Sequence, residues 1–291
     1  MSLPRLSIVV PSFNQCAYLP MTLDSILDQR YPDLELIVID GKSTDKTSDV
    51  LAQYRSAIDV LVCEEDDGQT QAINKGLKLA SGDYVTWLCS DDTLLRNALS
   101  TVASHIKTHP STQWFGGWVQ HIDADGAVLK LEKRTQAITL ASTLLRSASQ
   151  PFCFPQPGVW WNRNLHEQLG FLDERLHYCM DFEWWLRLLS AGLKPDVIDQ
   201  PIATYRMHET SKTCAQPEGF IHEHVLVERA YARNLPIRDR WSVYRRTAYQ
   251  HRAATLAQIG HRPWSQVIRH PWWLLSQQVR HQLWHGQPQA A

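Results

Sequence analysis

The sequence predicts an α/β fold, in which a mainly parallel, Rossmann-type sheet is flanked by helices and followed by a helical C-terminal extension. Apolar runs typical of buried strands alternate four times with amphipathic helical patterns between residues 6 and 92. Such βαβ units build a mainly parallel sheet with right-handed crossovers. Each run ends in polar or turn-forming residues, and the chain beyond residue 215 has a helical pattern.

The four strand and helix pairs follow one another in order. The strands are predicted over short apolar or alternating runs, and the helices over segments whose apolar residues recur every three or four positions. A Ser-Gly turn at residues 81–82 leads into the fourth strand. The predicted strands cover residues 6–10, 34–39, 60–63 and 84–88, and the predicted helices cover 17–29, a segment capped by Ser43 or Thr44, and 69–79.

The composition is that of an ordinary globular chain, with 44% hydrophobic and 20% charged residues among 291. The formal net charge of −1 hides a basic tail. Residues 234–291 carry eight Arg and one acid, together with five of the twelve Trp. We therefore predict a domain over residues 1–215 and a helical, basic and Trp-rich extension over residues 216–291.

The sequence also predicts a cytoplasmic location. No secretory signal pattern is visible at the N-terminus, and no apolar run is long enough to cross a membrane. The six cysteines form no Cys-x-x-Cys pair and lie mostly in apolar runs, which is typical of reduced thiols.

Two consecutive carboxylates, Asp91 and Asp92, follow the fourth predicted strand. Ligands of open α/β sheets bind beyond the carboxyl ends of the strands, and paired carboxylates are suitable ligands there for Mg²⁺ or Mn²⁺. The alternative is that Ser90 or Asp91 only caps a helix beginning near Thr93. The other three strands also end in polar or turn-forming residues, which favours a shared site: Ser12 and Asn14, Asp40 and Gly41, and Glu65, Asp66 and Gly68.

The sequence lacks the usual glycine-rich phosphate loops. No Gly-x-Gly-x-x-Gly follows the first strand, and no Walker lysine motif occurs. A metal ion is then the expected means of neutralising phosphate charge. The carboxylates therefore predict a site for a nucleoside diphosphate and a divalent cation.

Five segments follow in the order found in family 2 of the glycosyltransferases. They are residues 9–14 (VVPSFN), 36–47 (LIVIDGKSTDKT), 67–76 (DGQTQAINKG), 81–83 (SGD) and 90–92 (SDD). The chain resembles that family over about residues 6–92. The resemblance implies a GT-A fold and a metal-dependent, inverting glycosyltransferase of bacterial surface-polysaccharide or lipopolysaccharide assembly.

The resemblance also implies roles for single residues. Asp40, the acid after the second strand, is expected to contact the uracil of a UDP-sugar. Asp91 is expected to lie toward the ribose and the metal, and Asp92 toward the cation, Mn²⁺ or Mg²⁺. The other residues implied in the nucleotide pocket are Pro11, Ser12, Asn14, Gly68, Gln69, Asn74 and Lys75.

Three positions depart from the family pattern. Gly41 stands where many members have a second Asp, and Gln71 stands where many have Asp. Cys89 stands where close relatives have Asn. These departures leave the base preference and the metal geometry open.

Beyond Asp92 the alternation of strands and helices loosens. Helices are predicted over residues 94–106 and 137–146, a strand over 113–119, and a hairpin at the Asp-Gly pair 125–126. This half of the domain is expected to cover the acceptor side of the sheet.

A second group of chemical interest lies in residues 170–174 (GFLDE) and 180–189 (MDFEWWLRLL). From Phe182 the apolar pattern is helical, and Asp181 stands at the helix start, where it caps the helix or lies in its first turn. The resemblance assigns the catalytic base to this stretch, at Asp181. Glu183 is the second candidate, since two helical residues diverge by about 200°. A base is needed because a sugar hydroxyl must lose its proton as the new bond forms.

His208 follows the last predicted strand of the domain, in an Arg-x-His segment that the family shares. It is a candidate ligand of the metal or the diphosphate, and the alternative is a structural histidine.

The tail alternates Trp with Arg, which allows two interpretations. One is a peripheral membrane helix with Trp among the lipid headgroups, and the other is a helical segment that packs on its own domain or forms a homodimer. Nothing in the tail matches a nucleic-acid-binding module.

Together these patterns predict transfer of a sugar from a nucleotide-sugar donor, UDP-linked by expectation, to a hydroxyl of a glycan or lipid-linked glycan. The alternative is a non-catalytic nucleotide-sugar-binding or scaffold protein, which would need Asp40 and Asp92 but not Asp181. A sugar nucleotidyltransferase is disfavoured because its Gly-rich, Arg-containing N-terminal loop is missing.

Overall fold

The computed structural model describes residues 3–133, 138–146 and 154–258. The chain folds as two compact units. Within the described residues, the first comprises residues 3–133, 138 and 154–208, and the second comprises residues 139–146 and 209–258. The domain boundary placed after residue 215 stays a prediction.

The first unit begins with alternating strands and helices, as the sequence predicts. The elements are β1 (Leu6–Ser12), α1 (Leu19–Leu27), β2 (Leu34–Asp40), α2 (Thr47–Tyr54), β3 (Val60–Cys63), α3 (Gln69–Leu79) and β4 (Tyr84–Trp87). These four strands run parallel to one another, in the order β3-β2-β1-β4, which confirms the predicted βαβ arrangement.

The chain continues with a mixed set of elements. In order they are α4 (Ala98–Thr108), β5 (Trp114–Ile122), β6 (Val128–Glu132), α5 (Leu140–Leu145), β7 (Val159–Asn162), α6 (Leu165–Leu169), α7 (Met180–Ser190), β8 (Asp196–Arg206), α8 (Lys212–Ala215), α9 (Pro217–Ala232) and α10 (Ile237–Gln258).

All eight strands of the described residues join one sheet, in the order β3-β2-β1-β4-β7-β5-β6, with β8 beside β5. Strand β7 is antiparallel to both β4 and β5, and β8 is parallel to β5. Strands β5 and β6 form the hairpin predicted at residues 125–126, and Gly126 supplies the positive φ of 91° that its turn requires.

The centre of the sheet is buried because β1 and β2 are apolar along almost their whole length. Helix α3 lies close against this centre at Gly76, where an added Cβ would overlap the Val9 side chain of β1. Glycine at this position therefore lets the helix that follows β3 approach the sheet.

A buried carboxylate, Glu35, joins the starts of β1, β2 and β4. It accepts hydrogen bonds from Ser7 Oγ (2.6 Å), Ser81 N (2.7 Å) and Ser81 Oγ (2.6 Å). Burial would raise the pKa of Glu35, but the hydrogen bonds from Ser7 and Ser81 lower it below its usual value. The Ser-Gly turn into β4 is thus fixed by a charged acceptor from β2.

The helix predicted from residue 94 begins later, at Ala98. The preceding residues pair with β8: Leu95 N donates to Ile202 O (2.9 Å), and Thr204 N donates to Thr93 O (2.8 Å). These backbone bonds hold residues 93–95 extended, so neither Ser90 nor Asp91 caps a helix there.

Helix α7 packs on the sheet through stacked indoles. The Trp185 ring is stacked on Trp87 of β4, with centroids 6.2 Å apart and planes 9° apart, and on Trp114 of β5, with centroids 5.7 Å apart. All three side chains are buried. Aromatic stacking and burial together fix α7 relative to the end of β4.

The second unit contains helices α5, α8, α9 and α10, which agrees with the predicted helical extension. Glu228 of α9 is buried and accepts from Arg146 Nη2 (2.8 Å) and from Arg246 Nη2 of α10 (2.6 Å). Arg229 Nε also donates to Thr247 Oγ1 (2.8 Å), which joins α9 to α10. A buried carboxylate paired with two guanidinium groups holds the helices of this unit in register.

The described helices include none that is long and apolar enough to span a membrane. Of the five tail tryptophans, Trp241 lies within the described residues and is exposed on α10. Trp264, Trp272, Trp273 and Trp284 lie outside the described residues, and so does most of the segment on which the membrane and homodimer hypotheses depend.

Candidate active site

The carboxyl ends of β1, β2 and β3 lie side by side, as the parallel register requires. Ser12 pairs with Asp40, and Asp40 pairs with Cys63. The Asp40 carboxylate is buried and accepts from Ser43 N (2.9 Å) and Ser43 Oγ (2.6 Å). Ser12 Oγ is buried without a hydrogen-bond partner among the described residues. Ser12 and Asp40, both predicted in the nucleotide site, therefore lie side by side at the carboxyl edge of the sheet, and Ser12 Oγ has no hydrogen-bond partner among the described residues.

Asn14 ties the loop after β1 to the loop after β2. Its backbone has a positive φ of 54°, which Asn tolerates better than most residues. Asn14 Oδ1 accepts from Thr44 N (2.8 Å), and Asn14 N donates to Ser43 Oγ (2.8 Å). The predicted role of Asn14 in the pocket is thus accompanied by a structural one, because it orders the segment that holds Asp40.

The departure at Gly41 has a steric explanation. A Cβ added to Gly41 would lie 2.7 Å from Asp66 Oδ2, too close for any side chain unless Asp66 moves. Asp66 Oδ1 in turn accepts from Gly68 N (2.9 Å). The Asp66 carboxylate therefore occupies the space that a side chain at position 41 would take.

Asp91, Asp92 and Cys89 bring their donor atoms within 4.8 Å of one another, at the end of β4. Asp92 is 1% exposed, and its Oδ1 accepts from Arg206 N (2.8 Å). Burial and the neighbouring Asp91 carboxylate raise the pKa of Asp92 well above its usual value. A carboxylate pair held this close in a buried position matches the need of a divalent cation for anionic oxygen ligands.

The last strand of the sheet orients this pair. Arg206 of β8 donates through Nε to Asp91 O (2.8 Å), and its guanidinium lies over the Tyr18 ring. His208 Nε2 donates to Asp91 Oδ2 (3.1 Å) and its ring lies against Tyr18, with centroids 4.5 Å apart. The predicted His208 thus lies beside the carboxylates. Arg206 and Tyr18 were not among the predicted site residues, and the Arg-x-His segment was the one signal for Arg206.

Gln69 and Gln156 border the same cluster. Gln69 Nε2 donates to Cys89 Sγ (3.3 Å), and Cys89 Sγ is 3.6 Å from Gln156 Oε1. Gln156 Nε2 donates to Trp87 O (2.7 Å). Gln156 carries no sequence signal, because it lies 67 positions from Cys89, at the start of a short 3-10 helical turn.

Asn74 and Lys75 make contacts away from the acids. Asn74 is buried, and its amide donates to Leu172 O (2.9 Å) and Glu174 Oε1 (2.9 Å) and accepts from Leu172 N (3.0 Å). Lys75 Nζ lies 2.8 Å from Glu64 Oε1. Asn74 therefore anchors the loop that leads to α7, while Lys75 forms an ion pair with the segment after β3.

Asp181 and Glu183 differ in their surroundings. Both lie in the first turn of α7. The buried Glu183 carboxylate forms a bidentate ion pair with Arg187, whose Nη1 also donates to Leu169 O (3.0 Å) and Phe171 O (2.7 Å). Asp181 is half-buried and lies one helical turn before Trp185, on the face that packs on the sheet.

A mixed sheet with a carboxylate pair at the end of its fourth strand is typical of the GT-A fold. The first unit has this fold: 85% of the chain superimposes on 72% of a crystallised segment, residues 1–349, of Staphylococcus aureus TarS in complex with UDP-GlcNAc, with a TM-score of 0.65 and 19% identity. The mannosyltransferase PcManGT of Pyrobaculum calidifontis, solved with GDP-Man and Mn²⁺, matches 98% of the chain and 89% of its own with a TM-score of 0.63 and 18% identity.

The chain belongs to glycosyl transferase family 2, whose family model matches residues 7–187. It is 29% identical over 216 residues to the putative teichuronic acid biosynthesis glycosyltransferase TuaG of Bacillus subtilis, covering 72% of this chain and 81% of TuaG. It is 26% identical over 257 residues to a PGL/p-HBAD biosynthesis glycosyltransferase of Mycobacterium bovis, covering 84% and 88%. The resemblance predicted from the sequence is confirmed, and the chain is a glycosyltransferase rather than a non-catalytic scaffold.

Proposed function

We propose that the protein transfers a sugar from a UDP-linked donor to a hydroxyl of a glycan or lipid-linked glycan, with a divalent cation and with inversion at the sugar carbon. The observation that carries the proposal is the close approach of the Asp91 and Asp92 donor atoms, within 4.8 Å, beside the buried ends of β1 and β2. The relatives named for teichuronic acid and PGL synthesis support a cell-surface glycan or glycolipid as the acceptor class.

The cation would be held by Asp91 and Asp92, with Mn²⁺ or Mg²⁺ as the expected ions. When bound, it offsets the negative charge that builds up on the leaving diphosphate. Arg206 N donates to the Asp92 carboxylate, and the Arg206 side chain donates to the backbone carbonyl of Asp91, so β8 fixes one carboxylate directly and the backbone that carries the other. His208 donates to Asp91 and limits the rotation of that carboxylate.

The nucleoside is expected to lie along the ends of β1 and β2. Asp40 is held rigidly by Ser43, which leaves its carboxylate edge pre-organised for the uracil N–H. Ser12 Oγ offers a buried hydroxyl with no partner among the described residues, in register with Asp40. Binding a ligand that satisfies such an atom removes an existing desolvation penalty.

Asp181 is proposed to be the base that takes the acceptor proton. Its competitor Glu183 accepts hydrogen bonds from Arg187 at both carboxylate oxygens, so both oxygens already serve the ion pair. Asp181 shares a helix face with Trp185, whose ring is stacked on Trp87 just before the acidic cluster. One base and one in-line displacement give inversion without a covalent sugar–enzyme intermediate.

A nucleotide screen tests this function. The melting temperature would be measured with UDP, GDP, UDP-sugars and GDP-mannose, each with and without Mn²⁺. A ligand at 100 times its dissociation constant stabilises the native state by about 2.7 kcal/mol. We expect stabilisation by uridine compounds and a larger effect with Mn²⁺. Stabilisation by guanosine compounds alone would contradict the UDP assignment, and no effect of any nucleotide would contradict the donor class.

The remaining expectations concern the tail. Contact with a membrane surface or with a second copy through residues 216–291 stays a prediction. The Trp241 side chain on α10 is exposed, so it is available for contact with a membrane surface or with a second copy.

A further inference from the structure

We propose that Cys89 is a third protein ligand of the cation and that its sulfur shifts the site toward thiophilic divalent metals. The inference rests on the proposed cation site of Asp91 and Asp92. Its structural basis is that Cys89 Sγ lies in the same group of donor atoms as the two carboxylates, all within 4.8 Å of one another. Donor atoms separated by no more than this distance can share one ion.

The sulfur is held in place by two amide side chains. Gln69 Nε2 donates to Cys89 Sγ (3.3 Å), and the thiol faces Gln156 Oε1 at 3.6 Å. Gln156 is itself fixed by its bond to the Trp87 carbonyl (2.7 Å), two residues before Cys89. Outer hydrogen-bond partners of this kind orient metal ligands and tune their basicity.

The donor set has chemical consequences. Two carboxylates alone suit Mg²⁺ and Mn²⁺, whereas a thiolate adds charge and a soft donor that favours Zn²⁺ or Cd²⁺. Metal binding replaces the thiol proton, which passes to solvent, so the sulfur binds as a thiolate and the Gln69 N–H continues to donate to it. An Asn at this position would offer only a neutral amide oxygen.

The competing explanation is that Cys89 is a packed thiol that merely fills the space between two amides. The described part of the chain contains five cysteines, so the presence of a thiol at this position alone decides nothing. The two explanations differ in whether sulfur and carboxylate bind the same ion. A spectroscopic readout of the sulfur–metal bond separates them.

The experiment is a titration with Cd²⁺ in the presence of UDP, followed by the ultraviolet charge-transfer absorbance of the cadmium–thiolate bond. The parent is compared with Cys89→Ser, with Asp92→Asn, and with Cys63→Ser, which removes an exposed thiol outside the cluster. Binding of Mn²⁺ to the parent and to Cys89→Ser is measured separately by electron paramagnetic resonance.

We expect a stoichiometric, saturable band that Cys89→Ser abolishes and Cys63→Ser retains, and that excess Mn²⁺ diminishes by competition. Asp92→Asn should lower the affinity for Cd²⁺ by at least about tenfold, because removing even a hydrogen-bond partner of a metal ligand lowers metal affinity by about that much. Cys89→Ser should weaken Mn²⁺ much less than Cd²⁺.

A band that survives Cys89→Ser, or that Asp92→Asn leaves unchanged, would overturn the inference. If Mn²⁺ binds the parent and Cys89→Ser equally while no Cys89-dependent band forms, the inference fails and the cation site stands. If the parent binds neither Mn²⁺ nor Cd²⁺ with UDP present, both the proposed cation site and the role of Cys89 are wrong.

Discussion

Glu183 and Arg187 form a bidentate ion pair one turn apart on α7, and the same guanidinium donates to the carbonyls of Leu169 and Phe171. The carboxylate is therefore part of the scaffold that fixes the loop before the helix. This ion pair gives Glu183 a structural role, and Asp181 stays the proposed base.

Asp181→Asn should lower turnover without unfolding the protein or releasing the donor. The amide keeps the size of the side chain but cannot take the proton of the acceptor hydroxyl, so kcat should fall by ~10²–10⁴. Donor affinity should change little, since the base acts mainly in the transition state. Steady-state kinetics with a working acceptor, together with UDP calorimetry, measure both quantities.

Glu183→Gln is the matched control. It should cost stability, because the Arg187 guanidinium loses a charged partner in a mostly buried position, with an expected penalty of ~1–3 kcal/mol. Turnover per folded molecule should stay near that of the parent. If Glu183→Gln abolished transfer while Asp181→Asn remained active, the base would be misassigned.

Asp40→Ala should weaken UDP by roughly 1–3 kcal/mol, the usual cost of leaving a buried donor of the base unpaired. UMP should lose as much as UDP, because the contact concerns the uracil and not the second phosphate. Calorimetry with both nucleotides is the measurement. A loss confined to the diphosphate would show that Asp40 does not contact the base.

Gly41→Ala should displace the Asp66 carboxylate, since the new Cβ would lie 2.7 Å from Asp66 Oδ2. The displacement breaks the bond from Gly68 N to Asp66 Oδ1, at a cost of roughly 1 kcal/mol. Asp66→Ala should relieve the clash, so the double variant should lose less stability than the sum of the two single changes. Strict additivity in urea unfolding would show that Gly41 and Asp66 do not conflict.

His166 makes the stability of the first unit sensitive to acid. Burial lowers its pKa to about 4, and the ring accepts from Trp161 Nε1 (2.9 Å), a bond that only the neutral form can make. In the unfolded chain the pKa is about 6.5. As the pH falls from 6.5 toward 4, the unfolded chain therefore takes up a proton that the folded one does not, and the free energy of unfolding should fall by at most about 3 kcal/mol.

His166→Phe keeps the stacking on Phe171 and Trp184 and should show a flatter decline of stability over that pH range. Its stability at neutral pH should be lower, because Trp161 loses its acceptor. Burial also lowers the pKa of His224 in the second unit to about 4. His224 is present in the parent and in His166→Phe, so the difference between their pH profiles of stability reports on His166. Exposed His109→Gln is the control, and a decline as steep in His166→Phe as in the parent would contradict the assignment.

The sequence was sufficient to predict the parallel half of the fold, because apolar strands, amphipathic helices and polar strand ends are local patterns. The acids Asp40, Asp91 and Asp92 were found in the same way. The predicted helix start at residue 94 was wrong because residues 93–95 pair with β8, which lies more than 100 positions away in the sequence. The links from Asn74 to Leu172 and from Arg206 to Asp91 are equally remote in sequence.

One local pattern that bears on the choice of the base was not used in the sequence analysis. Glu183 and Arg187 are four residues apart on a predicted helix, the spacing at which opposite charges pair. That spacing alone would have lowered the rank of Glu183 as a base. The close approach of Asp66 to Gly41 has no such local signal, because it depends on two separate loops meeting in the folded chain.

The most direct test of the account is calorimetry of UDP binding, with and without Mn²⁺, to the parent and to Asp92→Asn. The amide can still accept from Arg206 N and removes a buried charge next to Asp91, so the variant should fold at least as stably as the parent. We predict that Mn²⁺ strengthens UDP binding to the parent and has no effect on the variant. Equal enhancement by Mn²⁺ in both proteins would contradict the cation site at Asp91 and Asp92.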